Sequence, residues 1–412
     1  MATETITTTC CVVGGGPAGM MLGYLLARAG IRTVVLEKHA DFLRDFRGDT
    51  IHPSTLELMY ELGLLDDFLK LPHSRVERLN GQIGNTKVTI ADFRHLPTHC
   101  KFIALMPQWD FLDFLAENGK KYPTFNLLLR TEATDLIEEG GRVIGVRAKS
   151  PENDIEVRAD LIVGTDGRHS TMRQRAGFQV DDIGAPMDIL WFRISRHEDD
   201  TTETFGHVDA GAMMVMLNRT DYWQCAYVIP KGGMDRVKEK GLPAFRERVA
   251  MLSPFLRNRL DEIKSWDDVK LLTVAVDRLR RWYKPGLICI GDAAHAMSPI
   301  GGVGVNLAVQ DAVAAANFLC GPLKAGRVRE ADLAAVQKRR TLAMRVIQRM
   351  QVQIQNSVLS RVLSGQQWTS PPFVVRLLNW FPVLRRLPAR LVGLGIRSEH
   401  IRTPVYSLLP PE

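Results

Sequence analysis

Apolar and β-branched residues run almost without interruption from Thr8 to Val13, the pattern of a strand covered on both faces. From Ala18 to Ala29 the apolar positions fall at helical spacing, and Arg32–Leu36 returns to a strand-like run. Ser54 to Leu65 predicts a helix, with Leu56, Met59, Tyr60 and Leu64 on one face and Gly63 close to its end. Val76 to Phe93 alternates between turn residues, as strands of another layer would, before the apolar run Phe102–Met106 and a short helix from Pro107 to Leu115. Leu127–Arg130, Thr134–Ile137, Val143–Ala148 and Ile155–Val157 read as a small antiparallel meander turning at Gly140-Gly141 and Glu152-Asn153-Asp154. Leu161–Gly164 is wholly apolar and delivers Thr165-Asp166-Gly167-Arg168-His169-Ser170 to the end of a buried strand.

Farther on, Ile189 to Pro230 is rich in aromatic, methionine and β-branched residues, a sheet expected to turn one face toward a pocket. A helix over Pro243–Leu252, a strand over Val269–Val276 and a second buried strand, Leu287–Ile290, follow. Past Asn306 the chain turns helical; Leu333, Val336, Ile347, Met350, Ile354, Val358 and Val362 mark one long amphipathic helix from Ala331 to Leu363.

A chain of 412 residues, 45% of them hydrophobic, has room for two or three domains with large cores. The N-terminus lacks a basic segment leading into an apolar core, and no stretch reads as bilayer-spanning, so a cytoplasmic location is expected. The six cysteines form no CxxC pair and no zinc-like grouping with histidine, which points to buried, reduced thiols and no metal site. The net charge of +7 is uneven: residues 321–412 carry fifteen Lys or Arg against four acids, and the rest of the chain is slightly acidic. Arginines scattered along helices without a recognition motif argue against nucleic acid.

Two distant glycine-rich segments change the picture. In the first, Gly14 allows a tight turn out of a strand, Gly16 lets backbone approach a pyrophosphate, and Gly19 lets helix and strand close up; Pro17 and Ala18 lie between. Glu37, eighteen residues after Gly19 and just before Lys38, ends the next strand, where a carboxylate can accept both hydrogen bonds of a ribose diol. The second segment, Gly291-Asp292 through Pro299, Gly302, Gly304, Val305 and Asn306, supplies an aspartate, a proline corner and a glycine-rich helix start for the far end of the same dinucleotide. Together they point to FAD.

The ordered trio of Gly14-x-Gly16-x-x-Gly19, Asp166-Gly167 and Gly291-Asp292 resembles the class A flavoprotein monooxygenases of the p-hydroxybenzoate hydroxylase fold, over most of residues 8–320. The resemblance implies a mixed α/β fold: a Rossmann-like FAD-binding domain (1–72, 97–180 and 278–325), an inserted β-sheet substrate domain (73–96 and 181–277) and a C-terminal helical region (326–412). It implies that Asp292 contacts the ribityl chain, that Asp166-Gly167 serves FAD and the reduced nicotinamide, and that Arg47 and Gln108 are flavin-contacting polar residues. Pro299 to Asn306 would wrap the flavin ring, with Pro299, Val303 and Gly304 nearest the chemistry and the amides near Val305 and Asn306 stabilising negative charge on the reduced ring. The activity implied is that NADH or NADPH reduces a tightly but non-covalently held FAD, O2 adds to give a C4a-hydroperoxyflavin, and its distal oxygen passes to an electron-rich carbon of an aromatic or polyketide-like substrate. No second glycine fingerprint follows a strand, which fits a nicotinamide that visits only transiently. Val303 departs from the long polar residue many relatives carry there.

Other readings stay open. A prenyl- or quinone-type reductase would use the same FAD contacts; a flavin-dependent halogenase would carry Trp-x-Trp-x-Ile-Pro, of which only Ile229-Pro230 is present; a non-enzymatic redox sensor is a third. Met213, Met214, Met216, Tyr222, Trp223 and Tyr227 are either core or pocket lining, and His52 and His207 either structural or proton-transferring. The basic, leucine-rich stretch Phe373–Ile396 packs on its own flavin domain, pairs with a second subunit or rests on a membrane surface. Both a monomer and a homodimer are compatible with the sequence.

Overall fold

The computed structural model describes residues 4–43, 50–83, 86–201, 204–209, 211–359 and 372–406. Its first sheet grows from the strand Glu4–Val13, where Cys10, Cys11 and Val12 are fully buried. This strand pairs in parallel with Asp154–Gly164 on one edge and Thr33–Leu36 on the other. Its last residue, Val13, stands opposite both Gly164 and Leu36, and Gly164 in turn stands opposite Cys289 of Leu287–Cys289. Four strands thus end in register, so the loops that follow them open on one rim, where parallel sheets place ligands.

The structure corrects several sequence expectations. Phe125–Leu128 leaves the expected meander and pairs in parallel with Thr33–Leu36, because the helix Gln108–Gly119 before it supplies the crossover a parallel neighbour needs. Ile155–Val157 and Leu161–Gly164 are one strand, Asp154–Gly164, antiparallel to Arg142–Lys149 on one side and parallel to Glu4–Val13 on the other. Lys270–Leu272 is shorter than expected; Val274 N donates instead to Asp188 Oδ1 at 2.9 Å. The helix expected over Ser54–Leu65 ends earlier, as Pro53–Glu61, and a separate short helix, Leu65–Phe68, follows the turn at Gly63. The long helix spans Glu330–Ile354 and continues as a π-turn, Gln355–Leu359; its expected end at Leu363 lies outside the described residues. Ile300–Lys324 does have the length and apolarity to cross a membrane, contrary to expectation, yet 83% of its most apolar window is buried. That stretch packs against the helices Pro17–Arg28 and Glu330–Ile354, as a core helix does.

A second, seven-stranded sheet runs in the order Lys270–Leu272, Met187–Ser195, Tyr222–Pro230, Ala212–Asn218, Phe205–Asp209, Arg78–Ile83 and Thr86–Asp92. Alternation sorts its side chains. Met214, Met216, Trp223 and Tyr227 join Phe192, Phe245 and Leu256 beneath the helix Leu242–Leu252. Ile189, Trp191, Met213, Val215, Ala226 and Val228 face the other way, where Ile300 of the glycine-rich loop meets them.

After the helix Arg386–Gly393 the chain returns across the first sheet's helices. Ile401 N donates to Glu61 Oε2 at 2.8 Å, Asn317 Nδ2 to His400 O at 2.8 Å, and Tyr406 N to Arg28 O at 2.7 Å. The Tyr406 ring lies so close to Gly30 that a Cβ there would meet it at 2.6 Å.

Candidate functional site

The rim brings three of the sequence motifs together. Gly14 has φ +108°, and a Cβ on it would sit 2.6 Å from Thr165 O; the Thr165 hydroxyl hydrogen-bonds toward Val13 O and Gly14 O at 2.9 and 2.8 Å. A Cβ on Gly19 would lie 1.9 Å from Gly14 O. Glycine is therefore required at both positions for the first helix to reach the strand end. Gly16 is different: a Cβ there would have no atom of the described residues within 4 Å. It stands at the N-cap of Pro17–Arg28, where helix amides precede the internal ladder and favour an anion.

Gly291 closes the same space from the far side. It has φ +61°, and its Cβ would lie 3.1 Å from Ala18 Cβ and 3.3 Å from Ala308 Cβ. Asp292, half-buried, is thereby held beside the first helix. Glu37 is buried, its Oε2 accepting from Gly15 N at 2.9 Å and its Oε1 from His39 N at 3.0 Å. These two bonds hold the carboxylate at the strand end, beside the Gly14–Gly16 turn. Lys38 is exposed, and Gln108 is half-buried at the start of Gln108–Gly119. Arg47 lies outside the described residues.

The Asp166 carboxylate turns to the protein: Ser170 Oγ donates to it at 2.5 Å and Met172 N at 3.0 Å, which starts the short helix Thr171–Arg175. Burial pushes its carboxyl up, against the opposing pull of those donors.

The loop from Pro299 to Asn306 is built from unusual backbone. Gly301 and Gly302 have φ +79° and +61°, and a Cβ on Gly302 would lie 2.4 Å from Thr50 Oγ1, which instead donates to Gly302 O at 2.7 Å. Val303 O accepts from Leu307 N at 2.9 Å, so the amides of Gly304, Val305 and Asn306 precede the helical ladder. Gly304, like Gly16, has no atom of the described residues within 4 Å of a would-be Cβ. The Val303 side chain is buried with Leu307 and Ile347. The Asn306 side chain pins the loop: Oδ1 accepts from His52 N and Thr55 Oγ1 at 2.8 and 2.7 Å, and Nδ2 donates to Thr50 O at 3.0 Å. Two open glycines at two helix starts, with Glu37 and Asp292 on the same rim, form a set of backbone amides and carboxylates whose chemistry fits FAD.

Behind the loop lies a scaffold that sequence reasoning missed. Gln351 Nε2 donates to Ser298 O and Ile300 O at 2.8 and 2.9 Å, and Gln355 Nε2 to Ser298 Oγ at 2.7 Å. Gln348 Nε2 donates to Asp277 O at 2.8 Å. The signal was three glutamines at helical spacing on an otherwise apolar face. Asp311, fully buried, accepts from Gly291 N at 3.1 Å, His295 Nε2 at 2.6 Å and Arg340 Nε at 2.8 Å. Arg340 reaches Glu399 as well, at 3.4 Å. His295 is thus a scaffold residue tying the Gly291-Asp292 turn to the helices behind it.

The other candidates divide. Met214, Met216, Trp223 and Tyr227 are core under the helical layer, as is His207, whose Nδ1 bonds Leu252 O. Met213 is on the face toward the loop, and Tyr222 lies under the Arg193 guanidinium, 4.9 Å from its ring centroid. His52 is fully buried; its Nδ1–H donates to Val392 O at 2.8 Å, its Nε2 has no protein partner, and burial pushes its pKa down to about 4. Neutral in the fold, it charges in the unfolded chain as pH drops below 6.5. Its contribution is whole above that value and lost down to about 4. Chemical denaturation of His52→Gln across this window should show an acid limb shallower by up to about 3 kcal/mol; an unchanged limb would mean the imidazole is charged or hydrated in the fold.

Comparison with known proteins agrees with this geometry. The FAD binding domain family model matches residues 7–350. The 6-methylpretetramide 4-monooxygenase of Streptomyces rimosus is 33% identical over 396 residues, 95% of this chain and 94% of that protein. The para-nitrophenol 4-monooxygenase of Pseudomonas sp. (strain WBC-3) is 24% identical over 76% of this chain and 78% of its own. Among solved structures, PqsL of Pseudomonas aeruginosa, described as a probable FAD-dependent monooxygenase, superposes with a TM-score of 0.74 at 21% identity, covering 87% of this chain and 99% of its own, a likeness of fold. The glycine rim, the loop at the start of Gly304–Lys324 and these relatives converge: the chain belongs to the FAD binding domain family and is an FAD-dependent monooxygenase.

Proposed function

We propose that the enzyme takes electrons from NADH or NADPH and hydroxylates a phenolic, polyketide-like substrate with O2, holding it between the Pro299–Asn306 loop and the face of the seven-stranded sheet turned toward that loop. The observation that carries this reading is the composition of that face. Across it, Trp191 stands opposite Ala226, Ala226 opposite Val215, Val215 opposite Gly206, and Gly206 opposite Gly81. A row that falls from tryptophan to alanine and two glycines leaves a shallow, apolar floor on which a flat ring system can lie.

Bound and reduced, FAD supplies the activated oxygen. The chain's own part is to exclude water, and Ile300 packs against the buried cluster of Ile189, Ala226 and Val228, lining the apolar seam between loop and sheet. The family match and the names of both curated relatives support oxygenation, and 6-methylpretetramide and para-nitrophenol supply the substrate class.

The test is a panel of phenols, from para-nitrophenol to polycyclic polyketide phenols, with FAD-loaded protein, either nicotinamide and isotopically heavy dioxygen. A true substrate should speed nicotinamide oxidation at least about tenfold, about 1.4 kcal/mol of barrier, and gain one heavy oxygen atom. A saturated product formed without dioxygen would replace this reading with a reductase, and halogenated product with a halogenase.

A further inference from the structure

The stretch Phe373–Leu387 carries its apolar side chains outward. Phe373, Val374, Trp380, Phe381, Val383 and Leu387 are between 57% and 68% exposed, although aromatic and branched residues of this size are ordinarily interior. Single exposed apolar residues need no explanation; six within one short segment do. The segment is a fixed platform. Ala389 is buried with Phe93 and Leu96, Arg385 Nε donates to Leu378 O at 2.9 Å, and Val392 O accepts from His52 Nδ1 at 2.8 Å.

Charge identifies what the platform fits. Between Pro372 and Ser398 stand five arginines and no aspartate or glutamate, and acids are missing from the whole stretch Leu333–Ser398. The Arg376 guanidinium lies 5.9 Å from the Phe373 ring and 5.7 Å from that of Trp380, so cation and aromatics share one surface. Arg386 and Arg390 are exposed on the next helix. A second copy docking by the same patch would set arginine against arginine. Val374, Val383 and Leu387 offer a nucleic acid backbone nothing.

We propose that this platform docks the enzyme on an anionic phospholipid surface, arginines meeting headgroup phosphates while Phe373, Trp380 and Phe381 enter the acyl boundary. The geometry gives docking a place in the enzyme's work. Leu391 and Val392 pack in one cluster with Val303 and Leu307, so the docked face adjoins the glycine-rich loop and a lipophilic substrate could enter from the bilayer.

The test is co-sedimentation of the FAD-loaded full chain with vesicles of phosphatidylcholine alone or mixed with phosphatidylglycerol. Binding is expected only to the anionic vesicles, weakening as salt rises. Phe373→Ser/Trp380→Ser should lower vesicle affinity at least about tenfold, and Arg376→Gln/Arg386→Gln should flatten the salt dependence. Both variants should keep wild-type flavin absorbance and melting, because the changed side chains are exposed. No sedimentation, equal binding to both vesicle types, or wild-type binding by the serine variant would overturn the proposal. So would a lipid-free dimer that the serine variant abolishes, which would assign the platform to a second copy.

Discussion

Gly19→Ala is expected to purify without bound flavin. On propensity alone the change should stabilise, since alanine is the better helix former by about 1 kcal/mol. The new methyl, however, would lie 1.9 Å from Gly14 O, a backbone atom that cannot swing aside, so the first helix must pull away from the strand end. Overpacking of this kind costs about 3 kcal/mol or more, which reverses the sign. Gly16→Ala separates folding from binding. Its methyl would meet no atom of the described residues within 4 Å, and φ −74°, ψ −175° suits alanine. The apoprotein should melt within about 1 kcal/mol of wild type, yet bind FAD about tenfold to a hundredfold more weakly, because the methyl occupies the pyrophosphate's approach. Melting of both apoproteins and a flavin-fluorescence titration decide the matter; wild-type FAD affinity in Gly16→Ala would move the pyrophosphate elsewhere.

Breaking the buried charge cluster is the second large effect. Asp311→Asn leaves Arg340, only 1% exposed, with Glu399 at 3.4 Å as its remaining carboxylate, and loss of one partner in such a buried cluster costs about 3 kcal/mol. It also weakens the acceptor for Gly291 N, so flavin retention should fall with stability. The paired change Asp311→Leu/Arg340→Met should recover much of the melting temperature without recovering flavin affinity, since apolar replacement restores packing but no acceptor. Burial pushes the Asp311 carboxyl up, but His295 and Arg340 outweigh it and hold the group below the usual range. The stabilisation is therefore complete above the unfolded value of about 3.9 and drains as pH falls through the lower folded one. The Asp311→Asn variant should lack that part of the acid limb in denaturant titrations; a loss under about 0.5 kcal/mol would show that the cluster contributes little.

What the sequence disclosed and what it hid follow from range. Gly14, Gly19 and Gly291 were legible because an absent side chain at a strand end signals close approach whatever approaches. The parallel strands were legible as unbroken apolar runs, but not the partner of Phe125–Leu128, which depends on where its crossover lands. The division of the methionine and aromatic candidates needed knowledge of which face the helix Leu242–Leu252 covers. Gln348, Gln351, Asp311 and Arg340 looked like ordinary polar positions on amphipathic helices. Their partners come from distant segments, so the glutamine spacing marks a polar stripe on a buried face without naming what that stripe holds.

The return of Tyr406 to Arg28 and Gly30 bears on how the protein is made. A ribosome adding about 5–20 residues per second needs on the order of 20–80 s to pass from the first glycine turn to that tyrosine. For most of that time the nascent first helix lacks Gly291 and the helix Gly304–Lys324, and it lacks the return of Tyr406 to the end, so its apolar face must be shielded by something else. Flavin capture is accordingly a late event in this protein's biogenesis, open only after Gly291 and the helix Gly304–Lys324 have been translated.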